Sequence, residues 1–261
     1  DVDRVATGDF LGMARDELQG RRDSVDTMLR EFAREISIRG AVAAVQRQTG
    51  SDPDVLLGFA RSTERVFMRD QPLPPLAPAA GQILAVRGER EAIQLVILPL
   101  TEDLTDIKIS VGDLRSDNGV ISESAVDINP VGSVQIKQPG SNFYPAESAY
   151  VGWWPDPLLP LPASLDLEAG QNQPLWIRVT VPAEAEAGTF VGHIHLEATG
   201  YEHSVPLRVE VFDFRLPDRM TCQTAFGFSP ENVWRYHRLS TEAERRAVLN
   251  KYWRSFSAHH I

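Results

Sequence analysis

Four prolines fall within eight residues at Pro72, Pro74, Pro75 and Pro78, and they mark the point where the hydrophobic period of the chain changes. Proline has no backbone N–H and a fixed φ, so this run is excluded from helix and reads as a stiff, extended linker over 71–82. Before it, apolar residues recur every three or four positions; after it, they recur every second position. A helical segment and a separate β-domain follow from that change.

Residues 1–70 read as a helical hairpin or arm. Val25, Met28, Leu29, Phe32 and Ile36 form one apolar stripe, and Arg22, Asp26, Arg30 and Glu31 fill much of the opposite face. Gly50 and Ser51 break the pattern. Asp52 followed by Pro53 resembles an N-cap with proline at the first helical position, which predicts a second helix through Val55, Leu56, Phe59, Val66 and Phe67. The two stripes need a partner surface. A neighbouring domain would serve, as would a coiled-coil dimer, although Arg21 interrupts a seam built on Leu11, Ala14, Leu18, Val25, Met28 and Phe32.

The segment 83–217 alternates. Ile107, Ile109 and Val111 are separated by Lys108 and Ser110; Leu175, Ile177, Val179 and Val181 by Trp176, Arg178 and Thr180; Val205, Leu207, Val209 and Val211 by Pro206, Arg208 and Glu210. Turn residues punctuate these runs at 116–119, 139–140 and 187–188. Together they predict an antiparallel β-sandwich of about seven or eight strands. Pro206 points to an edge strand. Phe212 and Phe214 continue the outward-facing side, and a cover from the residues after Pro217 is expected for them.

The final segment, 218–261, changes character again. Residues 221–228 read as a strand, and Thr241 with Glu244 forms a capping box that opens a helix whose apolar side carries Val248, Leu249, Tyr252, Trp253 and Phe256. A strand, a loop of about a dozen residues and a helix are the opening of a parallel α/β fold. One such unit cannot bury its own apolar face, so the chain is expected to be the front part of a larger protein, completed by a missing C-terminal barrel or a partner chain.

Composition narrows the function classes. The net charge is −10, with acidic residues spread throughout, which argues against a nucleic-acid partner. No run of about 20 apolar residues is present, so no membrane span is expected. Asp1 opens the sequence without a basic n-region ahead of an apolar run, and no secretory leader is read in these residues. Cys222 is the single cysteine and reads as a small buried apolar residue. Phosphate-binding glycine loops, serine elbows and kinase signatures are all missing from the sequence, and no cofactor is expected.

Several local patterns coincide in order and spacing: Arg87, Gly88 and Glu89 leading to Gln94; Trp154, Pro155, Asp156, Pro157 and Pro160; the run 175–182 followed by Gly188 and Gly192; and Phe212, Asp213, Phe214 and Pro217 ahead of 252–261. Over about residues 80–261 the chain resembles the glycoside hydrolase family 123 group. The resemblance implies an N-terminal β-sandwich followed by a (β/α)8 barrel, with 221–228 as its first strand and 241–260 as its first helix. It also implies retaining hydrolysis of β-linked N-acetylgalactosamine, a carbohydrate substrate and a secreted or periplasmic location. In the family's substrate-assisted mechanism, the 2-acetamido oxygen attacks the anomeric carbon, an Asp steadies the oxazolinium and an adjacent Glu acts as acid and base. After Pro217 the carboxylates are Asp218, Glu231, Glu242 and Glu244, with no Asp-Glu dipeptide. No catalytic residue is therefore assigned in this chain.

Under that resemblance, the loop 227–239 would lie at the rim of a sugar pocket. Trp234, Arg235, Tyr236 and His237 are the candidate substrate contacts, because aromatic faces stack on sugar rings while Arg and His bond hydroxyls; the alternative is that Trp234 and Tyr236 plug or pack. Trp153, Trp154, Pro155 and Asp156 could form a second platform, but their prolines favour a loop wedged between domains. His193, His195 and Glu197 share one strand face with metal-ligand spacing. Ile194 and Leu196 define the core side of that strand, so the three read as an exposed polar face, and no metal site is assigned. Asp113, Asp117, Asn118 and Gly119 read as a turn, and His259 and His260 as a helix terminus.

Overall fold

The computed structural model describes residues 10–77, 80–138, 150–217 and 225–259. The chain forms two compact units, Asp1–Phe214 and Arg215–Ile261.

Among its described residues the first unit opens with one helix, α1 (Phe10–Thr49), of 40 residues. It ends at Gly50, which takes a left-handed conformation (φ 78°) and donates its N–H to the Gln46 carbonyl at 2.8 Å. Glycine is suited to this closing position because it has no Cβ to clash.

Among the described residues twelve strands follow: β1 (Val55–Arg61), β2 (Gly81–Arg87), β3 (Arg90–Pro99), β4 (Leu104–Val111), β5 (Leu114–Ser116), β6 (Gly119–Ile121), β7 (Val126–Ile136), β8 (Gly152–Leu158), β9 (Leu165–Leu167), β10 (Gln173–Thr180), β11 (Gly188–Ala198) and β12 (Tyr201–Arg215). One sheet has the order β1-β3-β10-β7-β8, with every neighbouring pair antiparallel. The other has the order β2-β12-β11-β4-β9, with the β5–β6 hairpin attached to β11. Their inner faces share one core, in which Leu57, Phe59, Leu95, Ile97, Leu175 and Ile177 of the first sheet join Ile107, Phe190, Ile194, Leu196, Leu207 and Val209 of the second. The alternating runs of β10, β11 and β12 thus place their apolar sides as the period of two predicts, and the 116–119 turn closes the β5–β6 hairpin.

The outer face of the first sheet carries a second core. Leu56, Ala60, Val66, Leu73, Val96 and Leu98 pack there beneath Ile38, Ala41 and Val45 of α1. This arrangement corrects the second predicted helix. Val55, Leu56 and Phe59 belong to β1, which pairs residue by residue with β3 from Val55 opposite Pro99 to Arg61 opposite Ile93. Because both faces of β1 are buried, its sequence lacks the alternation that marks a half-buried strand.

The proline-rich segment is likewise stitched into the unit. Leu73 is 7% exposed, its N–H donates to Ser37 Oγ at 2.9 Å, and Ala77 exchanges two backbone hydrogen bonds with Phe59. The predicted arm, linker and sandwich therefore meet in one unit.

Two local expectations also change. Trp153 and Trp154 lie in β8, an edge strand on β7, where prolines are tolerated because one side of the backbone needs no ladder partner. Strand β12 lies between β2 and β11, so Pro206, opposite His193, does not mark an outermost strand. The rings of Phe212 and Phe214, at the end of β12, stack with their centroids 6.5 Å apart.

The second unit contains α2 (Pro230–Tyr236) and α3 (Glu242–Ala258) among its described residues. Ser229 caps α2 with Pro230 inside its first turn, and the predicted Thr241–Glu244 capping box opens α3. Phe228 packs against Tyr252, Trp253 and Phe256. Half of the predicted strand 221–228 lies outside the described residues; its described half, 225–228, is not a strand. The described residues do not close a (β/α)8 barrel.

Candidate functional site

Within the second unit, the four predicted sugar contacts occupy α2 and its C-terminal cap and do not converge. The expected loop is helical here because Ser229 accepts a hydrogen bond from the Asn232 N–H and Pro230 supplies a helical φ. The Trp234 ring lies under the Arg245 guanidinium, 4.8 Å from its centroid. The Trp234 Nε1 and Arg245 Nε atoms are buried without hydrogen-bond partners among the described residues. His237 caps the helix, and its Nε2 is 2.9 Å from the Tyr252 hydroxyl. Tyr236 is 77% exposed, with Arg235 5.1 Å from its ring centroid. Trp234 and His237 thus hold α2 against α3, whereas Arg235 and Tyr236 face solvent.

The first unit contains a different constellation, which the sequence did not bring together. On the outer face of the five-stranded sheet, Trp176 of β10 lies directly opposite Gln94 of β3. Both side chains line a cleft of about 120 Å³ with Glu64, Arg65, Pro155 and Asp156. Gln94 is buried, and its Nε2 donates to the carbonyls of Arg61 and Glu64, both at 2.8 Å, which fixes the turn that presents Arg65. Arg65 in turn lies over the Trp154 ring at 5.6 Å.

An aromatic cluster supports that edge. Phe67 meets Tyr150 and Trp154 edge-on at 5.5 and 5.4 Å, and Trp154 Nε1 donates to the Tyr150 carbonyl at 3.1 Å. Arg30 and Arg69 lie over Tyr150 and Trp153. The Tyr150 hydroxyl donates to Asp70 at 3.3 Å, and its pKa is raised by burial first and by the Asp70 charge second. Trp154 therefore packs within the first unit, while Asp156 reaches the cleft.

A ring wall beside an amide, a guanidinium and carboxylates suits a neutral, hydroxyl-rich ligand. The cleft is smaller than the roughly 300–1,000 Å³ of enclosed ligand sites, so it fits a surface contact to one ring. Its sequence signals are the Trp153–Asp156 segment, whose Pro155 and Asp156 line it, and Trp176 on the face of β10 that carries Arg178 and Thr180.

The remaining candidates do not assemble a site. His193, His195 and Glu197 are exposed along β11, and among the described residues no three ligating side chains group around a metal position. Asp113 accepts hydrogen bonds from Arg115 and from the Glu123 N–H, bracing the β5–β6 region. His259 caps α3. Cys222 and Asp218 lie outside the described residues.

A two-sheet β-domain with a helix on its outer face, followed by a separate aromatic helical unit, is the class of protein that this geometry defines. The chain belongs to the glycoside hydrolase 123 N-terminal domain family, whose profile matches residues 60–198, just over half of its length. A solved structure of a family 123 glycoside hydrolase from Clostridium perfringens, described for glycolipid glycan hydrolysis, is similar over 78% of this chain, with a TM-score of 0.65 and 17% identity. At that identity the likeness is one of fold. The chain spans 36% of that enzyme's length. A FixG-related protein from Vibrio parahaemolyticus (10% identity, 61% of this chain and 97% of that one, TM-score 0.28) and the CooA pilin subunit from enterotoxigenic Escherichia coli (13%, 61% and 99%, TM-score 0.30) are too distant to carry an argument. No curated protein matches the chain.

Proposed function

We propose that this chain is the N-terminal portion of a secreted or periplasmic glycoside hydrolase acting on β-linked N-acetylhexosamine glycans of the N-acetylgalactosamine type. The mechanism is retaining and substrate-assisted, and the residues after Pro217 contain no Asp–Glu dipeptide to supply the pair it needs. The family match across 60–198 is the observation that carries this reading. The first unit then acts as a rigid scaffold, and the second opens a barrel completed by further sequence or by a partner chain. Tyr236 and Arg235, the two outward-facing members of the predicted quartet, are the contacts available to a sugar at the rim.

The test compares the 261-residue chain with the polypeptide of its complete reading frame on p-nitrophenyl β-N-acetylgalactosaminide. Turnover by the complete polypeptide alone supports the proposal. Turnover by neither, or on unrelated glycosides only, removes it.

The Trp176 cleft favours a second reading, in which the β-domain is a noncatalytic glycan-binding module. Calorimetric titration with N-acetylhexosamine oligosaccharides tests it. The expected outcome is weak binding that falls about two- to tenfold in Trp176→Ala, the loss of one stacking contact worth about 0.5–1.5 kcal/mol. Binding unchanged by that substitution counts against the cleft.

A further inference from the structure

Helix α1 has two apolar sides, and the chain's own β-domain uses one of them. Arg34, Ile38, Ala41 and Val45 face the sheet, and Arg30 reaches Tyr150 on the same side. At 3.6 residues per turn, Leu18, Val25, Leu29, Phe32 and Ile36 lie about 160° away around the helix. They are exposed by 67, 48, 60, 65 and 55%, respectively. The body therefore cannot cover this stripe without releasing the face it already holds. Side chains from Arg15 to Leu29 are exposed apart from half-buried Asp26, and a helical stretch of that length is marginal in water without packing.

The stripe is a regular seam once Arg22 is included, which the helical period places beside the stripe and not on the opposite face. Positions 18, 22, 25, 29, 32 and 36 follow alternating spacings of four and three, the a/d pattern of a coiled coil. In this register Arg21 is a flanking g position, and Glu35 occupies the equivalent position two heptads on.

We propose that the stripe pairs with the same stripe of a second copy, antiparallel, around a two-fold axis near Thr27. Leu18 then faces the partner's Ile36, Arg22 the partner's Phe32 and Val25 the partner's Leu29, and symmetry doubles each layer. Arg22 gains an aromatic face. On the flanks Arg21 lies beside the partner's Glu35, and Glu35 beside the partner's Arg21. Both residues now hold only exposed partners one turn away, Glu17 and Arg39, and such pairs contribute little and exchange readily. Asp26 meets its own copy near the axis, with Arg22 of the same helix 3.8 Å from it.

A parallel pair is disfavoured because it sets Arg22 against Arg22 in the seam. The five-stranded sheet packs against the other side of α1, at Ile38, Ala41 and Val45, and leaves this stripe open. Six layers over about 27 Å bury on the order of 1,000 Å², near the lower limit for specific interfaces. Dissociation in the micromolar range follows from so small a contact.

The experiment is sedimentation equilibrium of the whole chain across about 1–100 µM, a range that brackets such affinities. It is run beside Phe32→Asp, Arg21→Glu, Glu35→Arg and the double charge reversal, with circular dichroism checking that each variant folds. The expected result is a dimer that Phe32→Asp abolishes, that either single reversal weakens at least tenfold, and that the double reversal restores. The reversals disturb Glu17 and Arg39 equally in the single and double variants, so restoration reads the contact between copies. A monomer throughout, or a dimer indifferent to Phe32→Asp, overturns the proposal and leaves the stripe to another protein or segment. A dimer that the double reversal fails to restore overturns the antiparallel register. None of these outcomes depends on the hydrolase reading.

Discussion

The guanidinium of Arg34 donates a 2.8 Å hydrogen bond to the carbonyl of Gly170, a residue 136 positions away, and a second bond of 3.1 Å to the Gln71 carbonyl. Asn172 extends the junction, with its side-chain amide on the Phe67 carbonyl at 2.6 Å and its N–H on the Met68 carbonyl at 2.8 Å. Burial lowers the pKa of Arg34, and Asp70 opposes that shift. A charged donor bonded to carbonyls in a partly buried position is worth about 1.5–3 kcal/mol. Arg34→Met is therefore expected to destabilise the first unit by roughly 2 kcal/mol. Hydrogen exchange should accelerate in 34–45 before it does in β10. Unchanged exchange in α1 would show that the apolar contacts of Ile38, Ala41 and Val45 suffice to dock it.

Gly81 opens β2 beside the ring of Phe59. A Cβ at that position would lie 2.6 Å from the ring edge, and Phe59 is fixed in the core shared by the two sheets. Gly81→Ala is thus expected to lower stability by about 1–3 kcal/mol through overpacking. Denaturant unfolding should show a lower midpoint with an unchanged slope. Phe59→Leu combined with Gly81→Ala should recover part of the loss by making room.

The carboxylate of Glu244 accepts hydrogen bonds from the Thr241 and Ser240 N–H groups, and its pKa is lowered chiefly by the Thr241 backbone bond. Its folded value lies below its unfolded one, so the contribution of the box is complete above the unfolded value and disappears as pH falls through the folded one. The start of α3 should fray in acid, with the Glu244 side-chain resonance titrating below the ordinary carboxylate range. Thr241→Ala should raise that midpoint and cost about 1 kcal/mol through the lost cap. A Glu244 midpoint identical in the two proteins would contradict the box.

Trp234 and Tyr236 are separated by one residue but have opposite roles in the second unit. Trp234 lies under Arg245, whereas Tyr236 is largely exposed. Trp234→Ala is expected to destabilise α2 and α3 by a few kcal/mol, as loss of a large packed aromatic does, about 3–5 kcal/mol at full burial. Tyr236→Ala should stay within about 0.5 kcal/mol. Circular dichroism melts of the two variants check this, and a Tyr236 change that alters glycan turnover without altering the melt assigns it to the ligand.

Local patterns in the sequence survive in the structure wherever one face of an element is dry and the other wet. The alternation of β10, β11 and β12, the turn between β5 and β6, the glycine stop at Gly50 and the Thr241 capping box are of this kind. The resemblance to family 123 glycoside hydrolases also stands for the N-terminal domain, through the profile over 60–198. Val55, Leu56 and Phe59 carry no period of two because α1 covers one side of β1 and the shared core covers the other. The prolines at 155 and 157 concealed β8 because an edge strand tolerates them. The cleft was illegible because Arg65, Gln94, Asp156 and Trp176 are spread over more than a hundred residues.

The sequence by itself determined where the chain turns, where its helices start and stop, and which strands show one face to water, because each depends on neighbours a few residues away. Tertiary structure alone decided that 55–61 is a strand, that the proline-rich segment is sewn to α1 and β1, and that Trp176 meets Gln94. Those outcomes depend on what covers the second face of each element, and the covering residues come from distant parts of the chain.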